Sequence, residues 1–272
     1  MNKNLSLSTK GGHGAKKEDF QYIVSIRPAE DPENHIGFGS IIHPRWILTV
    51  RHLFVSINDG DIKFLKIVVV PKYDNWLRKL IGKEKFQVES YYCLPLMKGR
   101  SQTETDLGLL KLSKPIELGN GTKYNFQAVR MIGPGISWQN YKYLDKYIRS
   151  AGWGSLLGLS DNLRYLRIIS SNMRPVKCSS KLPTIRQPYG FCLANMFSSL
   201  CNQDLGGPGV IRADSDIQIG IAVFGSPKCK RSDMDAFINL THYRDWVSRV
   251  IENGSKESEC FDSLTSRKTE LL

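Results

Sequence analysis

Apolar residues in this chain fall in short runs, each closed by a turn signal. The runs are Tyr22–Ile26, Gly39–Ile42, Trp46–Val50, Leu65–Val70, Leu107–Leu112, Tyr147–Ala151, Leu163–Ile169, Gly207–Ile211 and Ile217–Phe224. They are rich in Ile, Val, Tyr and Phe. A helical core needs apolar residues recurring at helical spacing over roughly ten or more positions. Runs this short suit strands instead, so the pattern predicts an all-β barrel or sandwich. One stretch departs from it. Tyr243, Trp246, Val247, Val250 and Ile251 keep helical spacing and predict a helix over 241–251, with Thr241 placed to cap it.

Composition narrows the class. The chain has 272 residues, 41% of them hydrophobic, enough for one large domain or two small ones. That apolar share excludes collagen-like and disordered chains. No run reaches the roughly 18 apolar residues of a membrane-spanning helix, so no membrane span is expected. Lys+Arg is 38 and Asp+Glu is 26, a net charge of +12, which favours acidic partners. The six cysteines, Cys93, Cys178, Cys192, Cys201, Cys229 and Cys260, form no C-x-x-C pair, which argues against structural zinc. His13, His35, His43 and His242 have no partner at metal spacing, so no metal and no cofactor are expected.

Five segments then point to a family. GSIIHPRWILTVRHLF at 39–54 resembles the strand and histidine loop of the trypsin/chymotrypsin family, close to GGSLI-x-x-x-W-V-L-T-A-A-H-C. TDLGLLKLSKPIEL at 105–118 resembles the segment around the catalytic aspartate, and SAGWGSL at 150–156 the S-G-W-G turn. CNQDLGGPGV at 201–210 resembles the nucleophile loop C-x-G-D-S-G-G-P-x-V, and Tyr243 and Trp246 match the C-terminal helix. GGHGAKKEDFQYIVSI at 11–26 is similar to the mature N-terminal stretch. The resemblance covers about residues 9 to 251, and its motifs stand in the family order. It implies a chymotrypsin-like double six-stranded β-barrel with a C-terminal helix. The peptidase-like domain is expected over 1–251, with an N-terminal barrel about 20–125, a C-terminal barrel about 126–238, the helix and then a polar tail over 252–272.

The departures fall on the chemistry. A serine protease needs a nucleophile, a histidine that takes its proton and an aspartate that orients the histidine. The resemblance gives the last two roles to His52 and Asp106 and the nucleophile position to Leu205. Leucine has no heteroatom, and removing the nucleophile of an unrelated protease cost on the order of 10⁶ in turnover. The oxyanion region, Gln203 and Leu205, carries Gln203 where the family has Gly. The activation switch is altered too: Asp204 is the family's buried aspartate, but Thr9-Lys10 stand where Ile-Val should be. A buried carboxylate that has lost its partner costs roughly 3–5 kcal/mol. Asp204 is therefore expected either to find another donor or to sit in a more solvated loop.

The resemblance also assigns pocket and staples. Ser199 falls at the base of the primary specificity pocket, with Val223, Phe224 and Gly225 on the strand that pairs with substrate. Asp235 replaces a wall glycine; it fills the pocket, accepts a Lys or Arg side chain or, with the pocket collapsed, reaches solvent. The family's histidine-loop cysteines are replaced by Gly37 and Leu53, while Cys178–Cys192 and Cys201–Cys229 follow family pairs. Cys93 and Cys260 remain, as a third bridge or as a link to another chain. Paired cysteines point to an oxidising compartment. The polar start, MNKNLSLSTKGGHGAKKEDF, lacks the apolar core of a leader. The expectation is an extracellular protein whose leader is not in this sequence.

Three functions follow from the resemblance. The first is a catalytically inactive homologue acting by protein binding, as a cofactor, decoy or regulator in an extracellular proteolytic cascade. The second is a hydrolase with weak residual activity through His52 and Asp106, which His52→Ala would abolish. The third is a heparin or polyanion-binding module. Its candidates are Lys63, Lys66, Lys72, Arg78, Lys79, Lys83 and Lys85; Arg164, Arg167, Arg174, Lys177, Lys181 and Arg186; and Lys228, Lys230 and Arg231. Expected partners are a protease or cascade component, with a polyanion or glycan as the alternative and no specific nucleic acid. Sequons at Asn4, Asn120, Asn239 and Asn253 permit glycosylation in a secreted chain.

Overall fold

A computed structural model describes residues 13–16, 18–32, 34–58, 61–64, 66–71, 85–122, 125–133, 147–153, 166–172, 178, 182, 184–194, 199–225, 234–254 and 260. Strands dominate it, as the short apolar runs require. Six of them close a barrel: β2 (Ile23–Pro28), β3 (Gly37–His43), β4 (Trp46–Thr49), β9 (Gly108–Leu112), β8 (Phe86–Cys93) and β7 (Ile67–Pro71), in that order around the ring. Two further strands, β5 (Val55–Asn58) and β6 (Asp61–Phe64), form a separate hairpin. Ile23, Ile26, Phe38, Ile41, Ile47, Leu48, Val69, Leu109 and Leu110 are fully buried, and since neighbours along a strand face opposite sides, both the inside and the outer face of the barrel are covered. Burying each such side chain contributes about 1.5–3 kcal/mol.

The second sheet runs β1 (His13–Gly14), β12 (Leu166–Asn172), β11 (Tyr147–Trp153), β14 (Pro208–Arg212), β15 (Asp216–Phe224), β16 (Met234–Asn239) and β13 (Gly190–Ala194), with β10 (Arg130–Met131) pairing in parallel to β15. Its six strands β11 to β16 correspond to the expected second barrel. Among the described residues their hydrogen bonding forms an open run, while the ends of that run, β12 and β13, lie close together. Phe191 and Phe237 stack inside it, their ring centroids 5.4 Å apart.

The C-terminal helix α1 spans Arg244–Asn253, with Trp246, Val247 and Val250 buried. Its start differs from the sequence expectation. A 3₁₀ turn occupies Leu240–His242, and the Asn239 side chain accepts from the Thr241 N–H, so Asn239 caps that turn. The Thr241 hydroxyl is buried and makes no hydrogen bond among the described residues. Gly254 ends the helix with φ 54°, a left-handed position suited to glycine.

Candidate functional site

The site is built at one end of the closed barrel. Thr49 at the end of β4 pairs with Gly108 at the start of β9. The chain beyond Thr49 enters a 3₁₀ turn, Arg51–Leu53, and the chain before Gly108 carries Asp106, so the register brings His52 and Asp106 together. The His52 backbone N–H donates to Asp106 Oδ1 at 2.9 Å, and its ring Nδ1 bonds Asp106 Oδ2. Asp106 is buried, whereas the His52 side chain is 41% exposed, so its ring has an open face. Burial pulls the imidazole's pKa down, but the hydrogen bond and charge of Asp106 outweigh it and raise the pKa overall.

Arg51 was not singled out in the sequence. The family pattern has Ala beside the histidine; here a guanidinium is buried, 5% exposed, with Nε 4.0 Å from Asp106 Oδ1. It works against Asp106 in setting the His52 pKa. Arg51 Nη1 is buried without a hydrogen-bond partner among the described residues. Glu104 was missed as well. Its fully buried carboxylate accepts from the Arg186 backbone N–H (3.0 Å), Nε (3.0 Å) and Nη2 (2.7 Å). This ties the Asp106 loop to the segment before β13, and it engages one of the cations read from the sequence as a polyanion candidate.

The nucleophile loop comes from the second sheet and is held from four sides. The Leu205 carbonyl accepts the Phe38 N–H at 2.8 Å, and the Gly206 N–H donates to Ala222 O at 2.8 Å. Gly206 sits at φ 80°, and a Cβ there would lie 2.2 Å from Phe38 O and 2.5 Å from Thr49 Oγ1, so only glycine fits. His35 holds the loop through Gln203. Its Nε2–H donates to Gln203 O at 2.9 Å, its Nδ1 accepts from Ser25 Oγ at 2.8 Å, and that oxygen accepts from Arg27 Nε. Asp204 is 1% exposed and accepts from the Cys201 N–H at 2.9 Å; it does not lie in a solvated loop. Leu205 is buried, at 8% exposed, and puts hydrocarbon where the resemblance places the nucleophile. The Gln203 side-chain oxygen is buried with no hydrogen-bond partner among the described residues.

Of the residues assigned to the pocket, Ser199, Val223, Gly225 and Asp235 are buried and Phe224 is half-buried. Asp235 accepts from Ser199 Oγ and the Leu200 N–H, both at 3.0 Å. The Gly225 backbone lies against the pocket floor: a Cβ added there would come within 3.0 Å of Leu200 C and of Cys201 C and O. The Asp235 carboxylate is thus turned onto Ser199 and Leu200.

The staples are in place where they are described. Cys93 bonds Cys260, and Cys178 bonds Cys192. Cys201 is also disulfide-bonded, while Cys229 lies outside the described residues. Where the family's histidine-loop bridge is missing, Leu53 fills the space: a Cβ on Gly37 would stand 2.5 Å from Leu53 Cδ1. The N-terminal segment is clamped by charge. Arg149 pairs with Asp19 (2.9 Å) and Asp216 (3.4 Å), and Tyr22 donates to Asp216 at 2.7 Å. Of the basic candidates, Lys72, Arg78, Lys79, Lys83, Arg164, Arg174, Lys177, Lys181, Lys228, Lys230 and Arg231 lie outside the described residues.

Comparison with known proteins agrees with this architecture. The family model described as Trypsin matches residues 9–247. The chain is 27% identical over 249 residues to a lectizyme of Glossina austeni, covering 89% of this chain and 86% of that protein. It is 25% identical over 261 residues to human azurocidin, covering 91% and 88%. A solved structure of a mutant of human heparin binding protein (CAP37) superposes with a TM-score of 0.65 at 23% identity, covering 89% of this chain and 96% of that one. With the family match spanning most of its length, this chain belongs to the trypsin family.

Proposed function

We propose that this chain is a non-catalytic serine protease homologue that acts by binding, as a cofactor, decoy or regulator in an extracellular proteolytic cascade. One observation carries the reading. Leu205, to which the resemblance gives the nucleophile position, has no heteroatom, and it sits on a loop whose backbone is bonded to β3 and β15. His52 and Asp106 have no hydroxyl or thiol at that position to activate. The burial of Ser199 and Asp235, hydrogen-bonded to each other where the resemblance puts the pocket, supports the same reading. Disulfides support the extracellular part. The purified full chain is expected to remain unlabelled by a fluorophosphonate probe that labels an active serine protease in parallel. Stoichiometric labelling would overturn the reading.

A second reading, polyanion binding, is favoured by the net charge of +12 and by the name of one structural relative, a heparin binding protein. It predicts retention on immobilised heparin near physiological salt, with log affinity falling linearly in log salt as bound counterions are released, as on other linear polyanions. Elution that ignores salt, or no retention at all, would sink it.

A further inference from the structure

Four sequons compete for a role in this chain, and their surroundings separate two of them sharply. Asn239 is 2% exposed at the end of β16. Its Nδ2 donates to Pro188 O at 2.7 Å, and its Oδ1 caps the following turn. A sugar on that nitrogen would replace one of its two hydrogens and force a bulky polar group into the core. Asn120 is the opposite case. It is exposed, at the tip of a turn over Gly119–Thr122. Gly119 (φ 111°) and Gly121 (φ 88°) shape the turn. It is held by Gly119 N–H to Phe126 O at 2.8 Å, Gly121 N–H to Asn125 Oδ1 at 2.9 Å and Thr122 Oγ1 to Gly119 O at 2.9 Å. The Asn120 Oδ1 accepts from Gln127 Nε2, which leaves Nδ2 without a bond in the described residues. Asn253 is exposed at the end of α1, but Ser255 of its sequon lies outside the described residues, as does Asn4.

The position of the turn matters as much as its exposure. Thr49 and Gly108 mark the end of the barrel that holds His52 and Asp106. The chain leaves β9 at the other end: Leu112 N–H bonds Arg45 O and Ile116 N–H bonds Pro44 O, both on the β3–β4 turn. At about 3.3 Å per residue, β9 alone separates the two ends by roughly 13 Å. A glycan at Asn120 therefore stands away from His52, the nucleophile loop and the pocket residues.

We infer that Asn120 is an N-glycosylation site, the acceptor of an oligosaccharide from a polyprenyl-pyrophosphate donor, and that the glycan shields the back of the closed barrel while leaving the candidate site open. In the transfer Nδ2 forms a bond to the anomeric carbon of the first sugar. The bond from that carbon to the pyrophosphate oxygen breaks, the pyrophosphate leaves with its electron pair, and one Nδ2 proton is lost to a base of the transferase. The inference rests on the extracellular reading above.

The test is peptide mapping of the full chain, expressed behind a secretion leader in animal cells, before and after peptide N-glycosidase. Expected is conversion of Asn120 to Asp by the glycosidase, loss of that modification in both Asn120→Gln and Thr122→Ala, and an unmodified Asn239 throughout. Neither variant touches His52, Asp106 or the nucleophile loop. An unmodified Asn120 in secreted chain with Cys93–Cys260 and Cys178–Cys192 closed overturns this site alone. A chain that reaches the medium only with reduced cysteines, or not at all, overturns the extracellular reading beneath it. A glycosylated Asn239 in folded protein would overturn the burial argument that separates the two sequons.

Discussion

His35 links four groups through one ring: Arg27, Ser25, the imidazole and the Gln203 carbonyl. The ring is 3% exposed, and burial first, then the charge of Arg27, push its pKa from 6.5 down to about 3 against the pull of the Gln203 carbonyl. The folded pKa therefore lies below the unfolded one. As pH falls the unfolded chain takes the proton first, so the stability this ring contributes is present above about pH 6.5 and lost as pH drops towards 3. The slope for one proton is about 1.4 kcal/mol per pH unit across that window. His52 has the opposite sign: its pKa is raised, so its contribution is present below pH 6.5 and fades as pH rises through the folded value. Urea midpoints measured from pH 7 to pH 4 should fall steeply for the native chain. In His35→Gln the midpoint at pH 7 should be lower and the acid slope flatter by about one proton; an unchanged slope would show that another group carries it.

At the scale of elements, the join between barrel and loop rests on a glycine. Gly206→Ala would put a methyl 2.2 Å from Phe38 O at a φ of 80°, so the loop or the β3 backbone must move. The expected cost is about 3 kcal/mol or more, from left-handed strain plus the clash, read as a drop in the denaturant midpoint with the m-value unchanged. The same region shows what the sequence could and could not tell. The strand and loop positions of His52, Asp106 and Leu205 were legible because each motif is local and needs only a few neighbouring residues. Leu53 over Gly37 was half legible: the missing cysteines were visible, the packing that replaces them was not. Arg51 and Glu104 were not legible at all, since their meaning depends on Asp106 and Arg186, which lie far off in sequence and meet them only through the strand register. The cap of the last 3₁₀ turn went to Asn239 for a similar reason: its other hydrogen bond, to Pro188, comes from a distant loop.

At the scale of the whole molecule the two sheets meet through backbone bonds such as Phe38 to Leu205, through Glu104 with Arg186, and through one covalent tie. Cys93 ends β8 of the closed barrel, and Cys260 follows α1, which itself follows the second sheet. The bridge thus fastens the end of the chain across to the first barrel, over a sequence separation of 167 residues. Both sulfurs are buried, at 0% and 1% exposure, so they sit inside the core and not on a loose tail. A loop of that length gives up about 5 kcal/mol of unfolded-chain entropy in the simplest account, and measured bridges typically contribute about 2–4 kcal/mol. Replacing one cysteine would leave a lone buried thiol, so the informative variant is Cys93→Ala with Cys260→Ala. It should keep the native far-UV spectrum, because neither alanine removes a backbone bond of the closed barrel and Cys178–Cys192 stays closed. It should also lose about 2–4 kcal/mol in urea unfolding, with a lower Tm. An unchanged midpoint would mean that α1 and the barrel hold the tail without the bridge.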